Sequence, residues 1–148
     1  RGVDGQRLVF ARRMPLDEHL ARHRLADLFI DTLPYNAHTT ASDALWAGLP
    51  VLTCMGKSFA SRVAASLLNA IGLPELIAQT PQAFEAMAVE LARDAPRLRD
   101  IKNRLALNRL TQPLFDARLF ARHIESAYEA MVHRDASGLP PAALRINA

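Results

Sequence analysis

Apolar and polar positions along the first 80 residues follow patterns that predict short strands separated by helices. The predicted strands cover residues 8–10, 27–31, 51–54 and 76–78. The predicted helices cover residues 16–24, 39–46 and 61–71. Residues 51–54 read as buried on both faces, which is typical of a parallel strand covered by helices. We therefore expect an α/β fold, a Rossmann-like parallel sheet with flanking helices, whose ligands bind beyond the carboxyl ends of the strands.

Individual residues predict where these helices begin and end. Pro15 opens the first helix, and Ser61 is expected to cap the helix over residues 61–71. Gly48 is placed to adopt the left-handed conformation that ends a helix, and Pro50 prevents the helix from continuing. The helix over residues 39–46 is therefore predicted to end directly before the next strand.

After residue 80 the apolar positions recur with helical spacing only. Thr80 is predicted to cap the first of these helices. The Asp94-Ala-Pro sequence is predicted to separate it from a second helix, which runs to about residue 110. Asp116 is predicted to cap a third helix. One side of the third helix is apolar, with Phe120, Ile124, Ala127, Tyr128 and Met131. This stripe fits core packing or a docking face for a missing lobe, and packing within the domain is the default expectation.

These patterns divide the chain into three regions. Residues 1–80 form an α/β region, residues 81–134 form helices expected to pack on the same domain, and residues 135–148 form a tail. The tail combines Ser-Gly and Pro-Pro pairs with no periodicity, which predicts a loose segment. Because the chain opens with Arg1 rather than methionine and reaches an apolar run almost at once, we expect further protein to precede it.

Composition excludes several classes of protein. The chain has 148 residues, is 50% hydrophobic and carries a formal net charge of +3. No apolar run reaches the length of a membrane span, so no membrane partner is expected. The basic stretch over residues 97–109 has no aromatic residue, so a solvated helix face is favoured over a nucleic-acid partner. Cys54 is the only cysteine, which excludes an internal disulfide and fits a reducing cytoplasm.

Residues 35–50 contain the most informative pattern in the chain. Thr39 and Thr40 open a helix directly after an apolar strand, where free backbone amides and the positive end of the helix dipole attract an anion. Asp43 follows at one helical turn and shares their face, where its carboxylate can accept hydrogen bonds from the hydroxyls of a ribose. An anion site beside a diol acceptor predicts nucleotide binding, although Asp43 could also be an acid that only favours the helix dipole.

A second candidate segment contains His19 and Arg22, three positions apart on the first predicted helix. An imidazole can lie against a nucleobase, and an arginine can donate to a base carbonyl. Without further evidence, such a pair is more typical of a polar helix surface than of a binding site. His19 and His23 also have a spacing compatible with zinc, but the nearby sequence offers no third ligand, so no metal site is expected.

Residues 31–51 (Asp-Thr-Leu-Pro-Tyr-Asn-Ala-His-Thr-Thr-Ala-Ser-Asp-Ala-Leu-Trp-Ala-Gly-Leu-Pro-Val) and 60–66 (Ala-Ser-Arg-Val-Ala-Ala-Ser) resemble the C-terminal donor-binding lobe of the O-linked N-acetylglucosamine transferase and SPINDLY family. The resemblance is strongest over residues 8–80 and loosens toward residue 135. It implies part of a GT-B glycosyltransferase that transfers N-acetylglucosamine from UDP-GlcNAc to serine or threonine of proteins without a metal. It also implies that the catalytic base, the acceptor-side lobe and tetratricopeptide repeats lie upstream.

The same resemblance implies roles for individual residues. His38 would reach the diphosphate and the donor sugar, the two threonines at 39 and 40 would hold the phosphates, and Asp43 would bind the ribose. His19 and Arg22 would face the base, and the main chain of Met14 would contact the edge of the base. Leu16 stands where many relatives have lysine, so a ligand contact by that side chain is not expected.

Other interpretations remain open at the level of the sequence. Relatives that use GDP-fucose or UDP-glucose are not excluded, because His19 and Arg22 do not distinguish a pyrimidine from a purine. A nucleotide-binding or protein-interaction module without transfer activity is the alternative from another class. Lys57 and Ser58 follow Gly56 like the end of a P-loop, but Val51 stands where that motif needs its first glycine. They are instead expected to form a turn.

Overall fold

A computed structural model describes residues 2–146 of the chain. Three parallel strands form the sheet, in the order β1 (Phe29–Ile30), β2 (Val51–Cys54) and β3 (Ile77–Ala78). Phe29 pairs with Val51, and Thr53 pairs with Ile77. All four residues of β2 are buried, because this central strand is covered by helices on its faces. The prediction of an α/β fold with a parallel sheet is confirmed.

Six α-helices accompany the sheet within residues 2–146. They are α1 (Leu16–Arg22), α2 (Thr39–Ala47), α3 (Val63–Ala70), α4 (Pro81–Arg93), α5 (Ala95–Thr111) and α6 (Ala117–Ala136). Helices α2 and α3 connect successive parallel strands, and α4 and α5 follow β3. The apolar core is formed where α2, α3, α4 and α5 meet β2, with Leu45, Val51, Leu68, Ile71, Leu91, Ile101 and Leu105 among its buried residues.

Gly48 ends a helix and Thr80 and Asp116 cap helices as predicted, and Asp94, which was expected only to separate two helices, caps one as well. Gly48 ends α2 with a φ of 90°, in the left-handed region that glycine adopts without a steric penalty. The side-chain oxygens of Thr80, Asp94 and Asp116 accept hydrogen bonds from backbone amides in the first turns of α4, α5 and α6. These boundaries were predictable because each depends on residues within one helical turn.

The strand predicted over residues 8–10 is wrong. Leu8, Val9 and Phe10 form no strand and are 60%, 89% and 88% exposed. An apolar run becomes a strand only when another strand pairs with it, and the sheet formed within residues 2–146 has β1 at its edge with no neighbour on that side. The strands predicted over residues 27–31 and 76–78 do form, but each is only two residues long.

The prediction that Ser61 caps α3 is also wrong. Ser61 lies in a 3-10 turn (Phe59–Ser61), Arg62 occupies the N-cap position, and α3 begins at Val63. The Ser61 hydroxyl is 3.0 Å from both the carbonyl oxygen and the backbone nitrogen of Ser58. Because that hydroxyl is used to close the turn, it does not cap the helix.

Helix α6 differs from the packing expected for it. It contains no buried residue, and the stripe residues Phe120, Tyr128 and Met131 are 65%, 61% and 52% exposed. Core packing is therefore the wrong interpretation of this stripe in the described part of the chain. The helix also extends to Ala136, two residues into the predicted tail. Residues 139–146 form no helix or strand and line a cavity of about 470 Å³ against α6.

Candidate functional site

The N-terminus of α2 lies beyond the carboxyl end of β1, where the βα alternation places a ligand site. His38 occupies the N-cap position, and its side chain makes no capping hydrogen bond. The first helical hydrogen bond runs from the Ser42 amide to the His38 carbonyl at 3.1 Å. No acceptor among residues 2–146 binds the amides of Thr39, Thr40 or Ala41. Open amides and the positive end of a helix dipole attract anions, so this helix end is a candidate anion site.

Asp31 holds the loop that leads into this helix. Its side chain is 4% exposed, and one carboxylate oxygen accepts hydrogen bonds from the amides of Thr32 and Ala37 at 2.8 and 2.7 Å. The other oxygen accepts from the Thr53 hydroxyl on β2 at 2.6 Å. One buried carboxylate therefore ties the loop to the central strand. Sequence reasoning missed this role, for which the only available signal was an acid directly after a strand.

Asn36 is a second anchor of the same loop that sequence reasoning missed. It is 1% exposed, and its side-chain amide donates to the Thr32 carbonyl at 3.0 Å. Its backbone amide donates to the Ala60 carbonyl at 2.9 Å, which joins the β1–α2 loop to the β2–α3 loop. Together with Asp31, Asn36 fixes the backbone that presents His38 and the first turn of α2.

The His38 ring lies among aromatic side chains. It stacks on Tyr35 with ring centroids 4.9 Å apart and an interplanar angle of 16°. Phe59 meets it edge-on at 6.1 Å. The Nε2 atom of His38 is buried and has no hydrogen-bond partner among the described residues. The ring therefore keeps hydrogen-bonding capacity that the protein itself does not use.

Packing of α1 against α2 brings the two sequence-predicted segments together. The Nε2 atom of His19 lies 3.9 Å from a carboxylate oxygen of Asp43, and these side chains are 23% and 27% exposed. No hydrogen-bond donor from residues 2–146 reaches the Asp43 carboxylate. The carboxylate is thus held at the surface of the site with its hydrogen-bonding capacity free, as a diol-binding acid requires.

The segment before α1 completes this side of the site. Arg22 donates from Nη1 to the Arg12 carbonyl at 3.0 Å, which ties the chain before α1 back onto the helix. Met14 lies in this segment and, with its neighbours, forms an open cavity of about 790 Å³ lined by Arg13, Met14, Pro15, Leu16, His19 and Arg22. Leu16 is 66% exposed in this cavity wall. Met14, His19 and Arg22 therefore share one concave surface.

The loop after β2 borders the other side of α2. Gly56 donates its amide to the Ser61 carbonyl at 2.8 Å, and Lys57 and Ser58 form the predicted turn between them. Arg62 is exposed and lines an open cavity with Met55 and Phe59.

No group of three or more His, Cys, Asp and Glu side chains within the described chain is arranged to hold a metal. Burial raises the pKa of the Cys54 thiol.

Close packing at Gly56 allows a test of this loop. Gly56→Ala is expected to lower the free energy of unfolding by about 1–3 kcal/mol. An added Cβ would lie 2.4 Å from the Ser61 hydroxyl oxygen and 2.6 Å from the Ser61 Cβ, so the loop must shift. Denaturant unfolding followed by circular dichroism measures the change. Gly5→Ala is the matched control, because a Cβ there meets nothing within 4 Å. Equal stability of the two variants would contradict this account.

The fold and the site geometry together agree with comparison to known proteins. The model of glycosyl transferase family 41 matches residues 1–124, and the chain belongs to this family. The UDP-N-acetylglucosamine–peptide N-acetylglucosaminyltransferase of Caenorhabditis elegans is 40% identical over 140 residues, which are 95% of this chain and 12% of that protein. The SPINDLY protein of Hordeum vulgare is 35% identical over 87% of this chain and 14% of its own length. The predicted family resemblance is confirmed.

A solved structure supports the same assignment at the level of the fold. A mutant of the O-GlcNAc transferase of Thermobaculum terrenum superposes with a TM-score of 0.84 at 37% sequence identity. The match covers 88% of this chain and 25% of that structure. The chain spans 12–16% of the lengths of the curated relatives that it matches. No helix within residues 2–146 is both long and apolar enough to cross a membrane.

Proposed function

We propose that this chain is the nucleotide-sugar-binding part of a protein O-glycosyltransferase, which transfers N-acetylglucosamine from UDP-GlcNAc to serine and threonine hydroxyls. The observation that carries the proposal is the uncapped N-terminus of α2, with Asp43 one turn further along and His19 3.9 Å from Asp43. The names of relatives from the same family, which describe UDP-N-acetylglucosamine-dependent transfer to peptides, support the choice of donor.

The phosphates are assigned to the first turn of α2. Thr39 and Thr40 are exposed there, so their hydroxyls and amides can both donate to phosphate oxygens. His38 precedes them and has ring nitrogen capacity to spare. A diphosphate bound at this helix end would be followed by the ribose at Asp43 and the base beside His19, Arg22 and the Met14 main chain.

This arrangement favours departure of the nucleoside diphosphate. Negative charge grows on the phosphate oxygen nearest the sugar as the glycosidic bond breaks, and fixed amide and hydroxyl donors stabilise that charge more in the transition state than in the substrate. Such donors perform the task that a divalent cation performs in other transferases. We therefore propose that transfer needs no metal and no cofactor.

The remaining parts of the enzyme are assigned to other regions of a longer protein. We propose that the catalytic base, the acceptor-side lobe and tetratricopeptide repeats belong to sequence upstream of this chain, and that a protein or peptide is the acceptor. A cytoplasmic location fits such acceptors. This chain matches 12–16% of the length of its curated relatives, which is consistent with the other parts of the enzyme lying elsewhere in a longer protein.

The test is a donor screen with the natural full-length protein. UDP-GlcNAc, UDP-glucose and GDP-fucose are each incubated with serine- and threonine-containing peptides, and transfer is scored by the mass added to the peptide. We expect addition of N-acetylhexosamine from UDP-GlcNAc alone. Transfer only from another donor would correct the sugar assignment. Binding of UDP or GDP without any transfer would favour a non-catalytic module, and the absence of binding would refute the nucleotide site.

A further inference from the structure

Tyr35, His38 and Phe59 form an aromatic cluster beside the first turn of α2. Tyr35 stacks on the imidazole at 4.9 Å, and Phe59 contacts it edge-on at 6.1 Å. Tyr35 and Phe59 are nevertheless 64% and 75% exposed. Large aromatic rings with this much exposure contribute little to the core, so their placement calls for another explanation.

The Tyr35 side chain is not needed to shape its own loop. The Tyr35 carbonyl accepts a hydrogen bond from the Thr32 hydroxyl at 2.9 Å. Directly after Tyr35, the Asn36 amide donates to the Ala60 carbonyl and the Ala37 amide donates to the Asp31 carboxylate. Backbone and buried polar groups therefore fix the loop, and the exposed Tyr35 ring is not required for the loop conformation.

The surroundings of the His38 imidazole indicate a role for the Tyr35 ring. No hydrogen bond to its ring nitrogens holds the imidazole among residues 2–146, and the stacked Tyr35 ring and the edge-on Phe59 ring both lie against it. An offset stack of two aromatic rings is a favourable arrangement that restricts rotation of the smaller ring. An imidazole already held in its binding orientation loses less conformational entropy when a ligand arrives.

We propose that Tyr35 is a positioning residue, which holds the His38 ring in the orientation that meets the diphosphate and the donor sugar. This inference rests on the proposed function. It assigns a role to a residue outside the nucleotide-contacting set and explains why an exposed aromatic ring lies at the entrance of α2.

The test measures the affinity of the natural full-length protein for UDP-GlcNAc by calorimetry. Tyr35→Ala is expected to weaken binding about threefold to tenfold, whereas Tyr35→Phe, which keeps the stacked ring, stays within about twofold of the wild type. The melting temperature should be unchanged in both variants, because the ring is exposed. Tyr128→Ala is the matched control, since Tyr128 is equally exposed at 61% on α6. Unchanged affinity of Tyr35→Ala would overturn the proposal.

A double-mutant cycle separates positioning from direct contact. If Tyr35 acts through His38, the variant lacking both rings binds as weakly as His38→Ala alone, and adding Tyr35→Ala causes no further loss. Additive losses would overturn the positioning role. Failure of the wild type to bind any nucleotide sugar or nucleoside diphosphate would instead refute the proposed function, and the role of Tyr35 with it. A wild type that binds normally while Tyr35→Ala is silent refutes only the inference.

Discussion

Asp31→Ala is expected to lower the free energy of unfolding of the 148-residue chain by about 3–5 kcal/mol. The carboxylate is buried and accepts three hydrogen bonds, from the amides of Thr32 and Ala37 and from the Thr53 hydroxyl. Alanine removes all three acceptor contacts at once. A buried hydroxyl on β2 and two loop amides are then left without partners, and unsatisfied buried groups are costly.

The measurement is denaturant unfolding followed by circular dichroism, with two comparison variants. Asp94→Ala makes the same substitution at an exposed helix cap with one backbone partner, the Arg97 amide, and should cost about 1 kcal/mol. Thr53→Val removes one of the three donors to Asp31 while preserving side-chain shape, and should cost about 1–2 kcal/mol. If Asp31→Ala costs no more than Asp94→Ala, Asp31 does not anchor the loop.

The sequence predicted correctly those features that depend on interactions between residues close together in the chain. Gly48, Thr80 and Asp116 end or cap helices as predicted, because each acts on backbone groups within a turn of its own position. The buried strand β2 was equally predictable, since its residues read as covered on both faces. In such cases the local pattern contains all the physics that is needed.

Interactions between distant positions were not predictable in this way. Asp31 and Thr53 are 22 positions apart, and nothing in the local pattern indicates that they share a hydrogen bond. Residues 8–10 have the composition of a strand, but a strand requires a neighbour that local sequence does not specify. The stripe on α6 has the spacing of a core face, and whether it is buried depends on which surfaces are present to cover it.

The candidate site depends both on interactions that are local in sequence and on packing between distant segments. The threonines at the start of α2 were placed by local rules of helix termini. The approach of His19 to Asp43 depends instead on how α1 packs against α2, and only the family resemblance had associated these residues with one ligand. The structure brings them to within 3.9 Å, so the groups that we propose to face the base and the ribose are neighbours on one surface. A nucleoside offers that same adjacency of base and ribose.

Asp43→Ala is expected to weaken binding of uridine diphosphate about tenfold to a hundredfold, through the loss of charge-assisted hydrogen bonds to the ribose hydroxyls. The fold should be retained, because within residues 2–146 the carboxylate accepts no hydrogen bond and its one charged partner is His19, 3.9 Å away. Calorimetry on the natural full-length protein measures the affinity, and thermal melting checks the fold. Asp17→Ala is the control, since it makes the same charge change at an exposed acid on α1.

A ligand without the diol gives this prediction its sharpest form. Uridine diphosphate lacking the 2′ and 3′ hydroxyls offers Asp43 nothing to bind, so the wild type should bind it as weakly as Asp43→Ala binds the normal nucleotide. Asp43→Ala should then bind the two nucleotides equally, since the hydroxyls and the carboxylate act only through each other. If the variant still prefers the intact ribose by the full wild-type factor, another group recognises the diol, and Asp43 serves only the dipole of α2.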